Sequence, residues 1–145
     1  MPCRALLDQI AEAYSHADRN ALMALYREDA LVCSAAEPDT TVGRDELFGR
    51  ADVLQRTQLI GAIDLISIDE AAGLIRANTR VAVGQGQYRT TERVWLLTFK
   101  EGLVHRQRVL GSRDEALALY AARGMDLGMN PAPAIYPRVG NRPLR

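Results

Sequence analysis

Between Ala5 and Ala17 the apolar residues Leu6, Leu7, Ile10, Ala13, Tyr14 and Ala17 recur at steps of three and four, the spacing of a helix that buries one stripe. Asp18, Arg19 and Asn20 interrupt the pattern. Asn20 is a competent cap for a second short helix through Leu22, Leu25 and Tyr26, ending near Asp29. Ala30 to Ser34 is a short apolar run of strand type, and Glu37-Pro38-Asp39 reads as a turn. Gly43 then precedes a third helix with the stripe Leu47, Phe48, Ala51 and Leu54.

The period changes in the second half. Gly61 to Asp69, Gly73 to Val83, Tyr88 to Lys100 and Leu103 to Leu110 are rich in Ile, Val, Thr and aromatic residues, as strands are. Glu101-Gly102 fits a two-residue hairpin turn, because glycine tolerates the positive φ such turns need. Ser112 and Glu115 form a capping-box pattern, and a last helix runs to about Arg123, with Gly124 stopping it. Three helices followed by consecutive strands predict an α+β fold, with helices on one face of a mainly antiparallel sheet and a hollow between the layers. Residues 1–124 make one domain on this reading. Residues 125–145, rich in proline and ending with Arg138, Arg142 and Arg145, are an extended arm, either free or packed on a partner subunit.

A chain of 145 residues suits one domain and buries about 68–70% of its unfolded surface, enough for a core without a disulfide or metal staple. With 48% hydrophobic and 25% charged residues it is neither disordered nor a membrane protein in composition. Eighteen basic against eighteen acidic residues leave no field to attract a polyanion, so neither nucleic acid nor a membrane surface is an expected partner. The amphipathic start, with Asp8 and Glu12, lacks the apolar stretch of a signal peptide, and a cytoplasmic location is expected. Cys3 and Cys33 have no neighbours at metal-ligand spacing, and Cys33 reads as a small buried hydrophobe. No metalloprotease, phosphate-loop or nucleophile-elbow motif is present. Gly84-Gln85-Gly86 joins two strands and lacks a third glycine, so no cofactor is expected.

Three stretches carry a family resemblance: Ala24-Leu25-Tyr26-Arg27-Glu28-Asp29-Ala30-Leu31-Val32, Val42-Gly43-Arg44-Asp45-Glu46-Leu47, and Val94 to Val104 continuing to Arg113-Asp114-Glu115-Ala116-Leu117. Their order resembles the NTF2-like superfamily and, within it, the SnoaL-like (ketosteroid isomerase-like) domains, over residues 5 to about 124. The resemblance implies a cystatin-like cone: three N-terminal helices packed on a strongly curved sheet, an internal pocket for a small apolar ligand, and a homodimer formed through the outer face of the sheet. Function carries over less well. The family's isomerase base aligns with Ser34, its proton-donating acid with Trp95 and its hydrogen-bonding tyrosine with Ile10, and serine and tryptophan cannot do that acid–base work. The Arg-x-Asp pair of limonene epoxide hydrolases is similar to Arg80-Val81-Ala82, which keeps only the arginine.

The candidate site follows from period-two alternation. Arg76, Asn78, Arg80 and Ala82 share a polar strand face, which looks into the cone if the family's orientation holds and is otherwise solvated or at a dimer interface. An inward Arg80 could stabilise an oxyanion, with Tyr14 or Asp64 handling protons in isomerisation, dehydration or cyclisation. Ser34, Trp95, Arg93, Arg106 and Arg108 are the expected ligand-binding residues. Inward arginines need acids, and Asp64 and Glu92 are the nearest candidates. His16 suits a helix C-terminus, and His105, beside Arg106, has no acid at a telling position. The competing class is a non-catalytic dimerisation or docking module of the same fold.

Overall fold

The computed structural model describes residues 2–33, 40–49 and 59–130. Two helices, α1 (Pro2–Ser15) and α2 (Arg19–Leu25), lead into β1 (Tyr26–Cys33) and β2 (Thr41–Gly43). A five-residue helix α3 (Arg44–Phe48) follows, then four long strands: β3 (Leu59–Asp69), β4 (Ala72–Gly84), β5 (Gln87–Lys100) and β6 (Leu103–Leu110). Helix α4 (Arg113–Arg123) and a 3-10 turn (Gly124–Asp126) close the described chain.

The six strands form one sheet in the order β2-β1-β6-β5-β4-β3, with β1 parallel to β6 and every other neighbour antiparallel. Both tight hairpins have positive φ at their two central residues, Gln85 (54°) and Gly86 (74°), then Glu101 (56°) and Gly102 (78°), which matches the twist of the strands they join. The Ser112 cap forms, with the return bond from Glu115 one residue further out than in a capping box. Ser112 Oγ accepts from the Glu115 backbone at 3.2 Å, and Glu115 Oε1 accepts from the Gly111 backbone at 3.0 Å.

The N-terminal half differs from expectation. Helix α2 is capped by Asp18, whose carboxylate accepts from the Ala21 backbone at 3.1 Å, not by Asn20. It also ends before Tyr26, because Tyr26 is extended and paired with Val104 of β6: tertiary pairing overrides a local spacing that continued the helix. Two helices, not three, precede the sheet among the described residues; α3 is a short insertion between β2 and β3. Ser34, the turn at residues 37–39, and Ala51 and Leu54 lie outside the described residues.

Each face of the sheet has its own core. On the inner face α1, α2 and α3 bring Leu7, Ile10, Tyr14, Leu22 and Phe48 onto Ile75, Ala77, Trp95, Leu97 and Val109. Gly73 lets α1 approach, since a Cβ there would stand 2.6 Å from Leu7 Cδ1 and 3.1 Å from the Ile66 carbonyl oxygen. On the outer face, Leu74, Val94 and Leu96 are covered by Ala116 of α4 and by Leu127 and Met129. The first part of the expected arm therefore belongs to the domain. It packs on its own sheet, with Leu127 and Met129 buried. Thr98 Oγ1 donates to the Met125 carbonyl at 2.7 Å, Arg108 to that of Leu127 at 3.2 Å and Arg106 to that of Met129 at 3.0 Å.

Candidate functional site

Alternation along β4, β5 and β6 decides which side chains meet behind the helices. Ile75 and Ala77 are buried in the inner core, and the register sets Ile75 against Trp95, Ala77 against Arg93 and Thr79 against Thr91. Trp95 in turn faces Val109, and Leu97 faces Gln107. Arg93, Trp95 and Leu97 thus follow one another on the inner face of β5, with Gln107 and Val109 beside them on β6.

Trp95 and Thr79 are essentially fully buried. The indole N–H donates to Thr79 Oγ1 at 3.0 Å, and that hydroxyl donates to the Ala77 carbonyl at 3.2 Å. Tyr14 comes down from α1, its ring tilted against Trp95 with centroids 6.4 Å apart. Its hydroxyl lies 2.8 Å from that of Tyr26, and Tyr26 donates to Gln107 Oε1. With the Tyr26 proton committed to the amide, the Tyr14 hydroxyl is the donor of its pair, so the protons run Tyr14 to Tyr26 to Gln107. The chain stops with a donor unserved. Gln107 Nε2 is buried and has no hydrogen-bond partner among the described residues.

Burial pushes the Tyr14 hydroxyl above the ordinary tyrosine range. Burial pushes Tyr26 higher still, and the Tyr14 hydroxyl beside it adds to the effect. Both therefore stay protonated at any physiological pH, as neutral donors inside an apolar shell. Tyr26 is also held edge-on by Phe48, ring centroids 5.1 Å apart.

The expected site residues divide between the two faces. Trp95, Tyr14 and Arg93 share the inner face. Arg80 does not. Because Ile75 and Ala77 point inward, strand alternation turns Arg76, Asn78 and Arg80 outward, and the Arg80 guanidinium sits over the Tyr88 ring, 5.5 Å from its centroid. Asp64 is also outside, bonded at 3.0 Å to Arg76 Nε; Glu92 holds Arg76 Nη1 at 3.0 Å. The two acids expected to neutralise inward arginines serve an outward one instead. The trio Arg80, Tyr14 and Asp64 is therefore not assembled, since the sheet separates Tyr14 from the other two. Arg106 and Arg108 face outward as well, because Gln107 between them faces in, and they hold backbone carbonyls of residues 127–129. A bulge at His105 lets it join Arg106 under this segment, where its Nε2 meets Asp126 at 3.0 Å. Ser34 lies outside the described residues.

Tyr26, Thr79 and Gln107 complete the inner polar strip and were not singled out from sequence. Gln107 alternates with Val109 and was visible as an inward position once the β6 register was known. Tyr26 was hidden by the helical spacing of Leu22 and Leu25. Two surface clefts lie elsewhere. One of about 430 Å³ runs between α1 and α2 over Ala13, Ala21, Ala24 and Leu25, with Glu12, His16 and Asp18 at its rim. Another of about 490 Å³ lies between α1 and β3 and includes Asp64. Among the described residues no group of three His, Cys, Asp or Glu side chains is placed to hold a metal ion, and no helix is long and apolar enough to cross a membrane.

No protein-family model matches the chain, and no curated protein matches it in sequence. Solved structures do match. An NTF2-like protein of unknown function from Burkholderia pseudomallei superposes with a TM-score of 0.59 at 17% identity, covering 82% of this chain and 97% of the other. A candidate polyketide cyclase of Pseudomonas putida gives 0.59 at 14% identity over 79% of this chain and 94% of the other. A candidate ketosteroid isomerase of Kribbella flavida gives 0.59 at 17% identity, covering 77% and 78%. The fold is NTF2-like.

Proposed function

We propose that the chain binds a small, largely apolar molecule between its N-terminal helices and the inner face of β4–β6, with a carbonyl-type oxygen of that molecule accepting from Gln107 Nε2. The observation that carries this reading is the unserved amide N–H at the end of the Tyr14–Tyr26–Gln107 chain, on an otherwise apolar wall. A buried donor without a partner is rare in native interiors and costs about 1–3 kcal/mol, so an acceptor delivered by a ligand recovers that cost. Trp95 supplies a face for the apolar body. Solved neighbours named as candidate cyclase and isomerase support a catalytic version, in which neutral donors polarise a carbonyl without a cofactor. Fluorescence of Trp95, the only tryptophan, tests the binding: a panel of neutral ketones should quench or shift it saturably, and Gln107→Leu should weaken that response about tenfold. An unresponsive Trp95 across the panel favours the docking-module reading.

The chain also pairs with a second copy, on this reading, through the part of the outer face that α4 leaves open. Tyr88 is about half exposed there, under the Arg80 guanidinium. Edge-to-edge pairing is the weaker route, because the edge strand β3 is interrupted by three bulges that spoil a continuous ladder.

A further inference from the structure

We infer that Arg93 is the anchor for a carboxylate on the ligand, so that the molecule taken up is an amphipathic acid: an anionic head at Arg93, an apolar body along Trp95 and a neutral oxygen at Gln107. The inference rests on the ligand-binding reading above and specifies what that ligand carries. Among the described strand residues, alternation puts Arg89 and Arg93 on the inner face; Arg89 is exposed at the far end of β5, and Arg93, opposite Ala77 and one alternation before Trp95, is the one beside the inner core. It is partly buried, yet its guanidinium is engaged only by its own strand: Nη1 donates to Thr91 Oγ1 at 3.2 Å and to the Glu92 carbonyl at 3.0 Å. Nε and Nη2 have no partner among the described residues.

The other arginines of the sheet, the exposed Arg89 apart, are occupied differently. Arg76 holds Asp64 and Glu92, and Arg27 holds Asp29 and Glu101. Arg106 and Arg108 hold backbone carbonyls, and Arg80 covers Tyr88. Arg93 alone among these combines an inward position with unused donors. Its planar fork suits two oxygens of one carboxylate. From Arg93 to the level of Leu97, which faces Gln107, is four residues of β5, or about 13 Å along the strand. That span, with Trp95 at its midpoint, sets the length of the apolar body.

The test uses matched probes on the full chain: phenylalkanoates from phenylacetate to phenylhexanoate, and their methyl esters, titrated against Trp95 emission at fixed ionic strength. We expect at least one acid to bind about tenfold more tightly than its ester. Arg93→Met should bring that ratio close to one, Arg93→Lys should leave a smaller preference, and Arg80→Met, on the opposite face, should not change it. Acid and ester binding equally in the parent protein, or a preference that survives Arg93→Met, overturns the Arg93 assignment while leaving ligand binding standing. If Arg93→Met fails to fold by circular dichroism, Arg93→Lys decides, and an undiminished preference there is equally contrary. Silence of Trp95 toward every acid and ester overturns both readings.

Discussion

The hydroxyls of Tyr14 and Tyr26 stand 2.8 Å apart, one delivered by the first helix and the other by the first residue of the first strand. The pair joins helix to sheet through a polar contact in the buried interior, and Tyr26 passes the connection on to Gln107 in β6. Tyr26 is the middle member. Tyr26→Phe strands the Gln107 carbonyl and the Tyr14 proton together, whereas Tyr14→Phe removes only the first donor. We expect urea unfolding to show a loss of about 2 kcal/mol for Tyr26→Phe and about 1 kcal/mol for Tyr14→Phe.

The same pair sets an alkaline limit. Both hydroxyls have native pKa values raised mainly by burial, above the unfolded value of about 10. The native state therefore holds these protons when the unfolded chain has begun to lose them. Their contribution is complete below about pH 10 and is lost as pH rises beyond it. Stability measured from pH 8 to 11 should fall above about pH 10, and the fall should be shallower in Tyr14→Phe.

The segment after α4 is held by its backbone carbonyls as much as by its side chains. Leu127 is fully buried under the outer face, and its carbonyl accepts from Arg108. Leu127→Ala should cost about 2–4 kcal/mol in thermal or urea unfolding. The Asp126 carboxyl, held below its usual range by the His105 ring, adds an acid-side effect. Its contribution is present above about pH 4 and lost as pH falls below that, so Asp126→Asn should flatten the acid limb of the stability curve.

Pairing through the open part of the outer face depends on Tyr88. Sedimentation equilibrium should give a dimer at micromolar concentration, and Tyr88→Lys should give a folded monomer. A parent protein that sediments as a monomer removes the pairing proposal.

The second half of the chain was legible because four strands declared themselves by alternation and two turns by residues that accept positive φ. Local signals also marked both ends of α4, through Ser112, Glu115 and Gly124. What failed was non-local. Tyr26 sits at helical spacing from Leu22, and only its partner Val104, far along the chain, makes it a strand residue. The orientation of β4 was equally hidden: one face of that strand is polar and the other apolar, but sequence does not say which one meets the helices. The inward side is the apolar one, so Arg80 and Asp64 lie on the outer face, while Trp95 and Tyr14 meet on the inner one. The acids Asp64 and Glu92 form ion pairs, but with Arg76 and not with the arginines they were expected to neutralise, because cross-strand register chooses the partner.

The Gln107 side-chain amide itself gives the most direct test. In 15N-labelled protein its two N–H resonances can be assigned by their loss in Gln107→Leu, then followed during titration with a neutral aryl alkyl ketone. We expect a saturable shift of this pair at the same concentrations that change Trp95 emission. Gln107 resonances that stay fixed while the ketone saturates Trp95, or that exchange rapidly with bulk water throughout, would contradict the assignment of this amide as the ligand's anchor.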